Sequence, residues 1–212
     1  MVVSRSLPVI LTPAQEAALG RIRFALEEPA GVVLLCGPAG AGTSLVLARL
    51  AAELGAGQPG GMPIRTASAL ADAIKQDAPI GGILLVDDAH LAMPDDLDAC
   101  ATLVTAQGAS ARCVVLAGRG RLLTLVGRDS RIAPRVRLRA IVPPLTLADT
   151  GRIVESRLGD VGPDVVRTCH EITAGIPAAL VRLIELATVS AGRQLTPADI
   201  ETIHRRLDLH AV

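Results

Sequence analysis

The segment 31-GVVLLCGPAGAGTS-44 decides the fold class of this chain. Gly31 is followed by an uninterrupted run of five apolar residues, VVLLC, which is typical of a strand buried in a parallel sheet. A glycine-rich turn follows, and Ser44 then opens a stretch with a helical pattern. Strand, glycine-rich loop and helix in this order are typical of a loop whose backbone N–H groups surround phosphate. The sequence therefore predicts a nucleotide-binding loop made of Gly37, Pro38, Ala39, Gly40, Ala41, Gly42, Thr43 and Ser44.

One position of this loop departs from the usual pattern G-x-x-x-x-G-K-[ST], because Thr43 stands where lysine is expected. The lysine normally contacts the β- and γ-phosphates, and the hydroxyl after it, here Ser44, holds Mg²⁺. A lost charge-assisted hydrogen bond costs roughly 1.5–3 kcal/mol, or about ten- to a hundredfold in affinity. Two interpretations stay open. The loop still binds ATP or ADP through its backbone at a helix N-terminus, or the turn is kept only for packing.

The order of elements predicts an α/β fold, with helices on both faces of a parallel sheet. After the first strand, apolar runs predict further strands at 63–66, 82–86, 112–117 and 136–141, alternating with helices that include 69–76 and 95–107. Beyond Pro143 and Pro144 the pattern is helical only, with capped helix starts at Thr146 and Thr196. We therefore expect an α/β domain at 1–143 and a small all-α domain at 144–212.

Composition excludes several classes of function. The 212 residues carry 21 basic and 21 acidic side chains, so no overall charge attracts nucleic acid or an acidic membrane. Phe24 is the only aromatic residue, so the chain cannot build the stacking platform of single-strand binders. The four cysteines lack metal-ligand spacing, and Cys36 and Cys113 lie in strand-like runs as expected of buried free thiols. No apolar stretch is long enough to span a membrane and no signal peptide is evident, so we expect a cytoplasmic protein.

Three further stretches carry a resemblance: ILLVDDAHL from Ile83, VVLAGRGRL from Val114, and RVRLRAIVPPLTLADTGRIVESRL from Arg135 leading to TAGIPAALVRLIELA. With the loop segment they cover most of the chain. The sequence resembles AAA+ ATPases of the ExeA-like general secretion pathway type, which are related to the MuB/TniB-type transposition ATPases. The resemblance implies an ATPase core with a helical lid and a magnesium ion held by Ser44 and Asp87 when nucleotide binds.

The same resemblance marks catalytic positions that have changed. Asp88 stands where a water-activating glutamate is expected, and an error of about 1 Å in a catalytic group can cost about a hundredfold in rate. Arg119 replaces a polar amide, and Ala178 replaces the arginine of the lid. Arg135 is retained at the position of an arginine finger, which acts on the nucleotide of a neighbouring subunit. We therefore expect weak hydrolysis or none.

Eight arginines lie between Arg112 and Arg139, and Asp129 is the only acidic residue in that span. Three interpretations stay open for this cluster: a protein or subunit interface, solvated side chains without a partner, or a surface for phosphate backbones. Three functions follow from the whole sequence. They are a regulatory or scaffold subunit with degenerate catalytic motifs, an ATP-binding switch with slow turnover, and a DNA-associated factor of the transposition-helper type.

Overall fold

A computed structural model describes residues 11–28, 30–56, 61–67, 82–105, 113–189 and 195–209. The chain folds as two compact units. The first spans Met1–Cys36 and Thr43–Val142, and the second spans Gly37–Gly42 and Pro143–Val212. The glycine-rich loop thus groups with the C-terminal part of the chain, which the sequence alone does not indicate.

The first unit contains a five-stranded, fully parallel sheet in the order β2-β3-β4-β1-β5. Its strands are β1 (Gly31–Cys36), β2 (Ile64–Thr66), β3 (Ile83–Asp87), β4 (Cys113–Gly118) and β5 (Val136–Ile141). Every residue of β1 and β4 is buried, as their apolar runs predict for central strands of a parallel sheet. The predicted α/β class and the parallel sheet are confirmed.

The described residues of this unit include helices α1 (Pro13–Leu26), α2 (Thr43–Leu54), α3 (Pro94–Thr105) and α4 (Arg121–Arg128). Helix α1 begins with the predicted capping box. The Gln15 N–H donates to the Thr12 hydroxyl, and the Thr12 N–H donates to Gln15 Oε1 at 2.9 Å. Ala18, Leu19 and Ile22 recur at helical spacing and are buried, so one face of α1 packs into the core.

The second unit contains helices α5 (Leu147–Leu158), α6 (Pro163–Thr173), α7 (Pro177–Val189) and α8 (Pro197–Leu209). Its core includes Val154, Cys169, Leu180, Ala187 and Ile200, all fully buried. The predicted caps at Thr146 and Thr196 are both present, since each hydroxyl accepts the N–H of the aspartate three residues later.

Helix α4 was not predicted, because its arginines were interpreted as a basic cluster rather than as the exposed side of a helix. Its buried residues are Leu122 and Val126, four positions apart, and that spacing was the available signal. The predicted helix at 69–76, the end of the predicted helix beyond residue 105, and Arg112 lie outside the described residues.

All four cysteines are buried and free, as predicted for Cys36 and Cys113. Burial raises the pKa of Cys36, Cys113 and Cys169 to about 11 and that of Cys100 to about 12. Within the ranges that the structure describes, no helix is long and apolar enough to cross a membrane.

Candidate functional site

The glycine-rich loop adopts a shape that depends on two of its glycines. Gly40 has φ +81° and Gly42 has φ +90°, a region that side chains of L residues disfavour. Between them Ala41 is buried, and its N–H donates to the Pro38 carbonyl at 3.1 Å. The chain therefore makes a tight turn immediately after β1, and glycine is required at positions 40 and 42 for conformational reasons.

Within the second unit this loop contacts the start of α7. The Ala178 N–H donates to the Gly40 carbonyl at 3.2 Å. A Cβ atom at Gly40 would lie 2.8 Å from Ile176 Cγ2 and 3.0 Å from Ala178 Cβ, so the Gly40 backbone approaches these side chains closely. Position 178, where the resemblance expects an arginine, is thus adjacent to the loop. The sequence did not indicate the contribution of Ile176.

In the first unit α2 begins at Thr43, directly after the loop. The first amides of a helix have no intrahelical acceptor and favour an anion at that end. Thr43 is half-buried and Ser44 is exposed. The predicted site residues Thr43 and Ser44 thus lie in the first turn of α2, at the helix end that favours an anion.

The acidic pair lies at the carboxyl end of β3, also in the first unit. Asp87 is half-buried, and its Oδ1 accepts the Asp88 N–H at 2.8 Å. Asp88 is exposed and has φ +51°, an uncommon conformation for a residue other than glycine, although aspartate tolerates it better than most. Among the described residues no group of three His, Cys, Asp or Glu side chains could hold a metal.

His90 follows this pair in a short 3₁₀ turn, Ala89–Leu91, and is buried. Its Nδ1 has no hydrogen-bond partner in the described part of the chain and lies 3.9 Å from Asp88 Oδ1. The imidazole packs on Gly118 at the end of β4, where a Cβ atom would lie 3.0 Å from Nδ1. Arg119, the next residue, is exposed.

The arginine cluster is partly neutralised by carboxylates, two of which lie outside its own span of the sequence. Arg131 pairs with Asp98 and, at 2.9 Å, with Asp129, and its guanidinium lowers the pKa of Asp129. Arg137 pairs with Glu28. Arg135 is exposed in the 3₁₀ turn Ala133–Arg135, just before β5.

No protein-family model matches the chain, and a comparison with curated proteins finds no match. Solved structures do match. RuvB, the Holliday junction branch migration motor of Thermotoga maritima, has a TM-score of 0.62 and 18% identity over 92% of this chain and 66% of its own. Domain III of the T. maritima replication initiation protein DnaA has a TM-score of 0.61 and 15% identity, with 92% of each chain covered.

A third similar structure is Brucella abortus NtrX in complex with ATP, with a TM-score of 0.65 and 15% identity over 92% of this chain and 58% of its own. The chain thus spans about two thirds of the RuvB structure and less of NtrX. Identities of this size carry information about the fold alone. The chain therefore shares with these structures an α/β fold of the P-loop NTPase type.

Proposed function

We propose that this chain is a nucleotide-binding AAA+-like protein that acts as a regulatory or scaffold subunit, with weak ATP hydrolysis or none. The observation that carries the proposal is the loop itself. Its tight turn, with positive φ at Gly40 and Gly42, supports binding of phosphate by the backbone, yet Thr43 supplies no cation. Binding through backbone amides needs the shape, whereas phosphoryl transfer also needs fixed charge.

In this proposal the residues Gly37–Gly42 with Thr43 and Ser44 hold ATP or ADP, and Ser44 and Asp87 hold Mg²⁺. The magnesium ion, when bound, supplies charge that compensates the phosphate oxygens. Asp88 is the remaining candidate for orienting water, and Arg135 is the candidate for acting on the nucleotide of a neighbouring subunit. The two domains, 1–143 and 144–212, correspond to the α/β core and the helical lid in the ExeA-like, MuB/TniB-related arrangement that the sequence resembles.

Three changes oppose efficient hydrolysis. Thr43 lacks the lysine charge, Asp88 is shorter than glutamate, and Ala178 lacks the guanidinium of the lid although it lies beside the loop. Removal of one fixed charge from a transition state typically costs about 10²–10³ in rate. A protein that has lost these catalytic groups but keeps its fold and its glycine-rich loop can still contact a partner. We expect such a contact in a cytoplasmic assembly.

The first test is a calorimetric titration of the chain with ATP and with ADP in the presence of Mg²⁺. We expect measurable binding by the native chain and tightening of about tenfold or more in Thr43→Lys, because a charge-assisted hydrogen bond is restored. Thr43→Gln is the matched control, since it adds length without charge. Binding that is absent in the native chain and unimproved in Thr43→Lys would show that the loop is kept for packing.

The second test measures ATP turnover and distinguishes the proposed regulatory or scaffold function from an ATP-binding switch and from an active ATPase. Turnover by the native chain should stay at background, well below the roughly 1 s⁻¹ of slow working enzymes. Turnover near that value which is lost in Asp87→Ala would replace the proposed function with an enzymatic one. Slow turnover coupled to a nucleotide-dependent change of partner affinity would favour the switch.

A further inference from the structure

A buried polar atom lacks a partner near the carboxyl ends of β3 and β4. His90 is 7% exposed, and its Nδ1 makes no hydrogen bond in the described part of the chain. A buried donor or acceptor that is left unpaired destabilises a fold. Because such groups are rare in native proteins, one that persists calls for a physical explanation.

Gly118, the last residue of β4, provides the space in which this imidazole lies. A Cβ atom at position 118 would lie 3.0 Å from both the backbone N and the Nδ1 of His90. The backbone conformation does not demand glycine there, because Gly118 has no positive φ. Gly118 is also the register partner of Cys36, which directly precedes the glycine-rich loop. The imidazole therefore lies beside strand ends of the kind at which open α/β sheets bind their ligands.

Asp88, the acidic residue beside this imidazole, is itself in an unfavourable state. Its φ of +51° lies in the left-handed region, which is strained for a residue other than glycine. Its carboxylate is exposed and accepts no hydrogen bond from the described residues. Asp88 Oδ1 lies 3.9 Å from His90 Nδ1, about 1 Å beyond the length of an N–H···O hydrogen bond. A strained backbone, an unbonded carboxylate and an unbonded imidazole nitrogen thus occur together in one turn.

The surroundings of the Asp88 carboxylate decide whether this gap closes. An exposed carboxylate is bonded to water and gains little from a donor of the protein. A ligand that covers this end of the sheet displaces that water, and a carboxylate without water requires another donor. The Nδ1 of His90 is the adjacent candidate, and a hydrogen bond to a carboxylate is strong where water is excluded.

We propose that His90 is a positioning residue for Asp88. When nucleotide occupies the glycine-rich loop, the Asp88 carboxylate turns toward the imidazole and accepts a hydrogen bond from its Nδ1–H, which holds the carboxylate in one orientation. The inference rests on the proposed nucleotide binding and adds a residue to the same site. The nitrogen that is unpaired in the free chain then obtains its partner in the bound state.

The first measurement is thermal unfolding without nucleotide, followed by circular dichroism. His90→Leu removes the ring nitrogens at similar volume, whereas His90→Asn keeps a nitrogen donor as many bonds from Cβ as Nδ1. His90→Leu should unfold roughly 2–4 °C above the native chain, because an unpaired buried polar atom is removed. A lower unfolding temperature would show that the imidazole already stabilises the free fold, as a purely structural residue does, and would overturn the inference.

Calorimetric titration with ATP and Mg²⁺ tests the bound state, in the native chain and in Thr43→Lys. His90→Leu should weaken binding by roughly three- to tenfold, and His90→Asn by less than about twofold. Asp88→Gly removes the carboxylate and suits the left-handed backbone. In that background His90→Leu should change the affinity by less than about twofold, because the partner of Nδ1 is absent.

Nitrogen-15 NMR of the imidazoles gives a readout that does not depend on affinity. In the ATP complex the Nδ1 of His90, assigned by its absence in His90→Leu, should carry the proton. An unprotonated Nδ1 in the complex overturns the inference but not the proposed function, as does an affinity loss that is the same with and without the Asp88 carboxylate. Failure of both the native chain and Thr43→Lys to bind ATP overturns the proposed function and the inference together.

Discussion

Replacement of Gly40 by alanine should destabilise the second unit by about 2–5 kcal/mol. Gly40 has φ +81°, and an alanine in a left-handed conformation costs roughly 1–2 kcal/mol. Its Cβ would also lie 2.8 Å from Ile176 Cγ2, which real Cβ contacts essentially never show, and overpacking of this kind costs about 1–3 kcal/mol. The two contributions have different origins and should largely add.

The measurement is urea unfolding followed by far-UV circular dichroism, because the chain has no tryptophan or tyrosine for intrinsic fluorescence. Gly151→Ala is the matched control in the same unit. Gly151 lies within α5, and a Cβ there would meet Val166 Cγ1 at 3.5 Å, an ordinary contact. This control should gain about 0.5–1 kcal/mol of helix stability.

The contribution of the steric clash to the loss of stability can be measured separately with the variant Ile176→Ala. If the clash with Ile176 contributes, the double variant should be more stable than the sum of the single losses predicts, by about 1 kcal/mol. A Gly40→Ala variant as stable as the native chain would refute the loop conformation. If Gly40→Ala is destabilised but its effect adds simply to that of Ile176→Ala, the close contact is refuted. Backbone strain at position 40 would then remain as the explanation.

Three further predictions concern other parts of the chain. Ellman's reagent should modify the four cysteines slowly in the native protein and completely after unfolding, because they are buried and their pKa values are raised; rapid modification of the native chain would contradict their burial. The Arg131 guanidinium lowers the pKa of Asp129, so Asp129→Asn should unfold at lower urea near neutral pH, and its deficit should shrink as the pH falls through the folded-state pKa of Asp129; a deficit independent of pH would argue against the ion pair. Duplex DNA should bind weakly, with log K falling about 0.9 per neutralised phosphate against log salt; submicromolar affinity at physiological salt, lost when Arg135, Arg137 and Arg139 are replaced by alanine, would favour the transposition-helper function.

The strands of this fold were accessible to sequence reasoning because each buried strand is a continuous apolar run. β1 and β5 coincide with the predicted ranges, and β3 and β4 differ by one residue at their ends. Helix α4 was missed because only Leu122 and Val126 of its eight residues are buried, too few for a strong helical period. Short helices with one or two buried residues are determined by tertiary packing, so the hydrophobic period of the sequence does not predict them.

Only part of the glycine-rich loop could be predicted from the sequence. The spacing of Gly37, Gly40 and Gly42 predicts a phosphate-binding backbone, and the sequence identifies Thr43 as the changed position. It gives no sign that the Gly40 carbonyl accepts the Ala178 N–H, because the two residues are far apart in the chain. That contact places position 178, where the resemblance expects an arginine, beside the loop. With lysine absent at 43 and arginine absent at 178, the loop lacks both cations that the resemblance expects nearby, so phosphate binding here would depend mainly on backbone amides and any magnesium ion. Thr43→Lys and Ala178→Arg should therefore each strengthen nucleotide binding in the calorimetric titration, and a gain in neither variant would refute this dependence on missing charge.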